Sequence, residues 1–312
     1  MHADACERTG SRLYADLARR LADEPLLRQI APDDRWDFPV RLLGGLHYLV
    51  LAGRAPGWRW EDVRATLERE RDWLAAFTAE QQVQTNEVQR SWALLPAFLL
   101  LGEARLDLIE LGPSAGLNLL WDRYRYRYAA GSWGPRDAPV ELSGEERSPV
   151  PAELLGRGVE VARRRGIDLA PVDISDDHGV RLLECFVWPD QTDRMERLRR
   201  VLELARAEPP EILHGDYVHL LPQALTEREP EALTVVFQTV STMYLPASRY
   251  RELQRIVEEA DPPVAWISTR RHAEEETELQ GGFELELRPS VGPARLVARM
   301  GYHGQWLEWR GA

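Results

Sequence analysis

The chain has 312 residues, 44% apolar and 29% charged, with 51 acidic against 39 basic side chains and a formal net charge of −12. That is a globular composition, long enough for one large α/β core with an accessory helical lobe, and it excludes a tiny stapled fold. The acidic balance removes the long-range attraction that draws proteins to DNA or anionic membranes, so neither nucleic acid nor membrane is expected as a partner.

Every basic residue is Arg and none is Lys. Chemistry that needs a lysine amine, such as a Schiff base or a phosphate-loop lysine, is therefore excluded. Of the two cysteines, Cys185 lies in an apolar stretch with Leu182, Leu183, Phe186 and Val187, which predicts a buried thiol rather than half of a disulfide. The N-terminus shows no basic region followed by an apolar stretch, and no apolar block reaches the roughly 20 residues that span a bilayer. A cytoplasmic location is the expectation.

Up to about residue 103 the apolar spacing is helical: Leu13, Leu17 and Leu21 follow a candidate N-cap at Ser11, and Trp73, Leu74 and Phe77 continue the pattern. Residues 1–103 are read as a helical lobe and 104–312 as an α/β domain. The sheet is expected to begin at Leu106, where LDLIEL stops at Gly112-Pro113 as a buried parallel strand should. Residues 129–158, rich in Gly, Pro and charge, read as an insertion. Apolar runs at 159–169, 211–213 and 233–240, the helix 193–207 and VAWIS after Pro262-Pro263 alternate as an open, mostly parallel sheet requires. FELELR, ARLVARM and QWLEWR alternate apolar with polar residues and predict an antiparallel C-terminal edge. RYRYRY at 123–128 is expected to pack one aromatic face.

The most informative segment is Ile109 to Asn118. It places Gly112 and Gly116 where a buried strand turns into a helix, so the backbone can approach a ligand closely. The full dinucleotide fingerprint is absent, which disfavours a nicotinamide-dependent oxidoreductase. Two further strand ends carry carboxylates, Asp168 in GIDLAP and Asp216 in GDYVHLLP. On a doubly wound sheet these ends share one edge with Gly112. A carboxylate at the second strand end can accept both hydroxyls of a ribose, and one at the third can accept an adenine amino group. Asp168 lies much farther along than the ~20 positions of a compact unit, which makes Asp173 a second candidate for the ribose role.

Other segments have plainer readings beside functional ones. Asn86 with Gln89 can cap the following helix, or Gln84 and Asn86 can cover a ligand. Asp190 or Thr192 can cap a helix, while Trp188 can wall a substrate pocket with Gln238 and Tyr244. His214, Tyr217, His219 and Tyr244 are candidate bases at or after strand ends. His214 and His219, Arg271-His272 and Cys185 match no zinc spacing, so no metal is expected.

ELGPSAGLN resembles the first motif of S-adenosylmethionine-dependent methyltransferases, GIDLAP the end of their second strand and GDYVHLLP their third acidic motif. QTNEVQR, ELGPSAGLNLLWDRYRY, GIDLAPVDISDD and VWPDQTDRMERLR together resemble the bacterial family catalogued as domain of unknown function 2332. The resemblance implies a Rossmann-like class I methyltransferase fold and S-adenosylmethionine as cofactor. It assigns Glu110, Gly112 and Gly116 to the methionine end, with Ser114 and Asn118 beside them, Asp168 to the ribose, and Asp216 with Tyr217 to the adenine. The expected function is methyl transfer to a small-molecule acceptor. The alternative, suggested by Pro113-Ser114 and the long insertion, is a non-catalytic nucleoside-binding or interaction protein on the same fold.

Overall fold

Apolar runs stopped by Gly, Pro or Asp become the strands of the protein's central sheet. The structure, a computed structural model, describes residues 3–8, 10–30, 37–270 and 282–311. The chain forms two compact units, Met1–Thr85 with Val172–Arg199, and Asn86–Pro171 with Arg200–Ala312. The division does not fall at residue 103. The helix Arg90–Leu100 belongs to the second unit, and residues 172–199, expected within the α/β domain, belong to the first.

The first unit is helical in its described part. Ser11 caps the helix Arg12–Ala22 by accepting the Tyr14 amide at 3.0 Å, and that helix buries Leu17 and Leu21. The helices Phe38–Leu51, Trp60–Arg69 and Arg71–Glu80 add Leu42, Leu46, Leu67 and Leu74 to the same core. Arg41 is buried among them, paired with Asp37 at 2.6 Å and donating to the Thr78 carbonyl. The helix Asp177–Glu184 leads to Cys185, a buried free thiol whose pKa burial pushes up.

The second unit is mixed α/β. Its strands in chain order are β1 (Arg105–Leu111), β2 (Arg125–Tyr128), β3 (Gly131–Trp133), β4 (Glu141–Ser143), β5 (Glu145–Ser148) and β6 (Glu160–Asp168). Then follow β7 (Glu211–His214), β8 (Leu233–Gln238), β9 (Ala265–Arg270), β10 (Gly282–Arg288), β11 (Arg295–Gly301) and β12 (Trp306–Trp309). Nine of them form one sheet in the order β5-β12-β11-β10-β9-β8-β1-β6-β7. The block from β7 to β9 is parallel throughout, whereas β9, β10, β11 and β12 are antiparallel neighbours. The chain starts at β1, moves outward through β6 and β7, then returns to β8 and β9 on the other side. The topological switch point therefore lies between β1 and β8.

Residues 129–158 are not a simple excursion. They supply β3 and β4, which flank β2 in a small separate sheet, and β5, which pairs in parallel with β12, so that β5 and not the expected antiparallel β12 is the edge strand. Tyr124, Tyr126 and Tyr128 point inward as the alternation predicts. Their hydroxyls donate to the carbonyls of Leu117, Trp121 and Trp92. The helix expected after Gly116 is a seven-residue 3₁₀ segment, Leu117–Arg123, with Leu120 off helical geometry. Two of its carbonyls are taken by tyrosine hydroxyls, and Trp121 stacks on Phe98 at 4.5 Å, which anchors it without a longer helix.

Candidate functional site

β1 is buried along nearly its whole length, and register sets Glu110 beside Gly166 of β6 and Phe237 of β8. Its last residues open onto the switch point. Gly112 follows with φ of 71°, and a Cβ there would lie 2.4 Å from the Ser241 Cβ, so only glycine fits. Ser241 in turn donates its hydroxyl to the Leu111 carbonyl at 2.6 Å, closing the β8 loop over the end of β1. Gly116, with φ of 74°, is held just as tightly by Pro210: an added Cβ would meet the proline ring at 2.5 Å.

Between the two glycines, Ser114 takes a left-handed conformation, and its amide donates to Asp168 Oδ2 at 2.6 Å. Asp168 Oδ1 accepts the Ala170 amide at 2.8 Å, so the carboxylate at the end of β6 is fixed against the glycine turn. Asn86 is not the cap of the following helix, whose N-cap is Gln89 without a side-chain bond. It reaches instead across the turn, donating Nδ2 to Ser114 Oγ at 2.7 Å and accepting the Ala115 amide at 3.3 Å.

Glu110 is 3% exposed, and its Oε2 has no hydrogen-bond partner among the described residues. Burial pushes its pKa up to about 8, with Asp168 repelling the charged form and Arg90 partly offsetting both. Asp216 caps the helix Tyr217–Ala224 through the Val218 amide, at 2.8 Å, and pairs with Arg249 at 2.7 Å. Its pKa falls below the ordinary carboxylate range: burial opposes the shift, but the Val218 amide and Arg249 outweigh it. Tyr217 donates to the Ser241 carbonyl at 3.3 Å, and burial pushes its phenol up to about 12.

Glu110, Gly112, Ser114, Gly116, Asp168, Asp216, Tyr217 and Asn86 thus share one unit and one edge of the parallel block. Asn118 also lies there, but it is buried and accepts the Ser91 hydroxyl at 2.7 Å, tying the turn to the helix Arg90–Leu100. Gln238 is buried at the end of β8, its Nε2 3.4 Å from Thr269, while Tyr244 is 64% exposed. Gln84, Trp188 and Asp173 belong to the helical unit. There the Trp188 ring lies 5.5 Å from Tyr14, Asp190 accepts the Leu13 amide and Asp173 accepts the Ser175 amide. Arg271-His272 lies outside the described residues, among which no group of His, Cys, Asp or Glu is placed to hold a metal ion. Neither is any described helix long and apolar enough to cross a membrane.

Three contributors escaped the sequence reading: Arg90, Ser241 and Arg249. Arg90 stands in the QTNEVQR motif and bonds the Tyr302 carbonyl; Ser241 and Arg249 carry no local signal. A cleft of about 880 Å³ opens at the opposite edge, where β8 begins, lined by Pro222, Leu225, Leu233, Ile256 and Pro262. It contains none of the residues at the glycine turn, which sit at the other ends of the strands.

Fold and site define a mixed α/β protein with a large, mostly parallel sheet and an acidic, glycine-bearing turn at its switch point. A family model described as an uncharacterized protein conserved in bacteria, DUF2332, matches residues 1–309, and the chain belongs to that family. No curated protein matches the chain.

Proposed function

We propose that this edge binds S-adenosylmethionine and that the protein transfers the cofactor's methyl group to a small-molecule acceptor on a Rossmann-like methyltransferase fold. The observation that carries the reading is the placement of two carboxylates, Glu110 at the end of β1 and Asp168 at the end of β6, beside the glycine turn at the switch point of a parallel sheet. Ionised, a carboxylate offers about four acceptor positions. Asp168 uses two on the amides of Ser114 and Ala170, which leaves capacity for both hydroxyls of a ribose. Glu110 keeps an unpartnered oxygen for the amino group of the methionine end. Asp216 and Tyr217 stand at the end of β7 for the adenine.

The cofactor, when bound, supplies a methyl group already activated on a sulfonium. The residues of this chain then have to orient it and exclude water, so proximity and alignment account for most of the rate. A base within ~3 Å is needed only for a hydroxyl or protonated amine acceptor. His214 and His219 are exposed, and burial holds the Tyr217 phenol protonated at neutral pH, so the phenol does not serve as that base.

Calorimetry and tryptophan fluorescence with S-adenosylhomocysteine test the reading. Binding weakened at least about tenfold (about 1.4 kcal/mol) by Asp168→Ala is expected. Absence of binding by the folded protein at millimolar ligand overturns it.

A further inference from the structure

Among the described residues, the non-glycine residues with positive φ are Asn86, at 28°, and Ser114, at 56°. They are hydrogen-bonded to each other, although Asn86 opens the segment before the first strand and Ser114 lies beyond its end. A left-handed conformation costs a non-glycine residue roughly 1–2 kcal/mol, and such strain persists only where the surroundings hold it. Here the Asn86 carboxamide does the holding with both ends. Its Nδ2 donates to Ser114 Oγ and its Oδ1 accepts the next amide, that of Ala115. In this conformation the Ser114 amide meets Asp168 Oδ2 at 2.6 Å, a short charge-assisted bond.

We propose that Asn86 is a positioning residue for Asp168: by clamping Ser114 in its left-handed conformation, it aims the Ser114 amide at the carboxylate and sets the direction in which that carboxylate receives a ribose. The ribose role rests on the function proposed above; the clamp does not. Asparagine suits the task because it tolerates positive φ and carries a donor and an acceptor on one planar group. Without the carboxamide, Ser114 relaxes toward negative φ, its amide turns away, and Asp168 keeps only the Ala170 amide.

Two readouts on the full chain test this. With serine labelled in nitrogen-15, the Ser114 amide resonance of the wild-type protein follows the ionisation of Asp168, and Asp168→Asn abolishes that titration. In Asn86→Ala the titration is expected to disappear while the thermal unfolding transition stays cooperative. An Asn86→Ala protein whose Ser114 amide still follows Asp168 overturns the proposal. S-adenosylhomocysteine affinity is expected to fall at least about tenfold in Asn86→Ala. Adding Ser114→Gly, which takes positive φ freely, is expected to restore most of it; failure of that rescue also counts against the clamp. If the wild-type protein binds no S-adenosylhomocysteine yet its Ser114 amide titrates in an Asn86-dependent way, the methyltransferase reading falls and the positioning contact stands.

Discussion

Asp216 and Arg249 form an ion pair of 2.7 Å that ties the start of the helix Tyr217–Ala224 to the helix Ala247–Glu258. The same carboxylate caps the first of these helices, so two substitutions separate its roles. Asp216→Ala is expected to cost about 1 kcal/mol in urea unfolding, the usual worth of an acidic N-cap. Asp216→Asn keeps the cap and loses only the ion pair. Because the folded pKa of Asp216 is depressed, its contribution is present above its unfolded value of about 3.9 and is lost as pH falls through the folded value. Arg249→Ala should therefore move the acid-unfolding midpoint to higher pH, and an unchanged midpoint would show the pair to be energetically idle.

Glu110 has the opposite linkage. Its folded pKa of about 8 lies above the unfolded value of about 4.3, so between these limits the folded state holds a proton that the unfolded state has released. Stability must fall as pH rises across that window. Glu110→Gln removes the slope: the variant should match the wild type near about pH 3.5, below the unfolded value, and exceed it near about pH 8, by an amount on the order of a few kcal/mol. Urea titrations at the two pH values decide it. If the proposed cofactor site is right, the same substitution weakens S-adenosylhomocysteine binding, so stability is gained where function is lost.

Much of this was legible before the fold was known, for reasons that are local. LDLIEL reads as a buried strand because each of its faces carries two apolar residues beside one carboxylate and Gly112-Pro113 stops it; Ser11 reads as a cap because its hydroxyl needs only the amide three residues on. What escaped is what depends on distant partners. β5 becomes a strand of the main sheet only because Glu145 meets Trp306, and nothing in EERS announces that pairing. The segment 172–199 carries the helical pattern common to both units, so its membership in the first cannot be read from spacing. At the site, Asp168 and the glycine turn were visible as types at strand ends. Arg249 and Ser241 were not, because an arginine among 39 basic residues and a serine in a loop have no spacing that marks them.

His47, in the helical unit, supplies a slope of the other sign. Burial holds its pKa down to about 4, although its Nδ1 lies 3.2 Å from the Cys185 carbonyl. The unfolded imidazole takes a proton near pH 6.5, so stability falls as pH drops from there toward 4, where the folded state must be protonated as well. His47→Gln should flatten this decline. Trp58, whose ring lies 5.5 Å from His47, provides a local fluorescence probe. A decline of unchanged steepness in the variant would assign it to other groups.

Gly112 and Ser241 test the close approach at the switch point. In Gly112→Ala the new methyl meets the Ser241 Cβ at 2.4 Å and the residue keeps a φ of 71°, so two penalties add. The backbone part is about 1–2 kcal/mol. The steric part belongs to Ser241, and Ser241→Gly should remove it while also deleting the hydroxyl that bonds the Leu111 carbonyl. The double variant is therefore expected to regain part, not all, of the stability lost in Gly112→Ala, giving a coupling between the sites in a thermodynamic cycle. Strict additivity of the two single losses would mean that the β8 loop moves aside freely. The turn would then not be held to the geometry on which ligand binding at this edge depends.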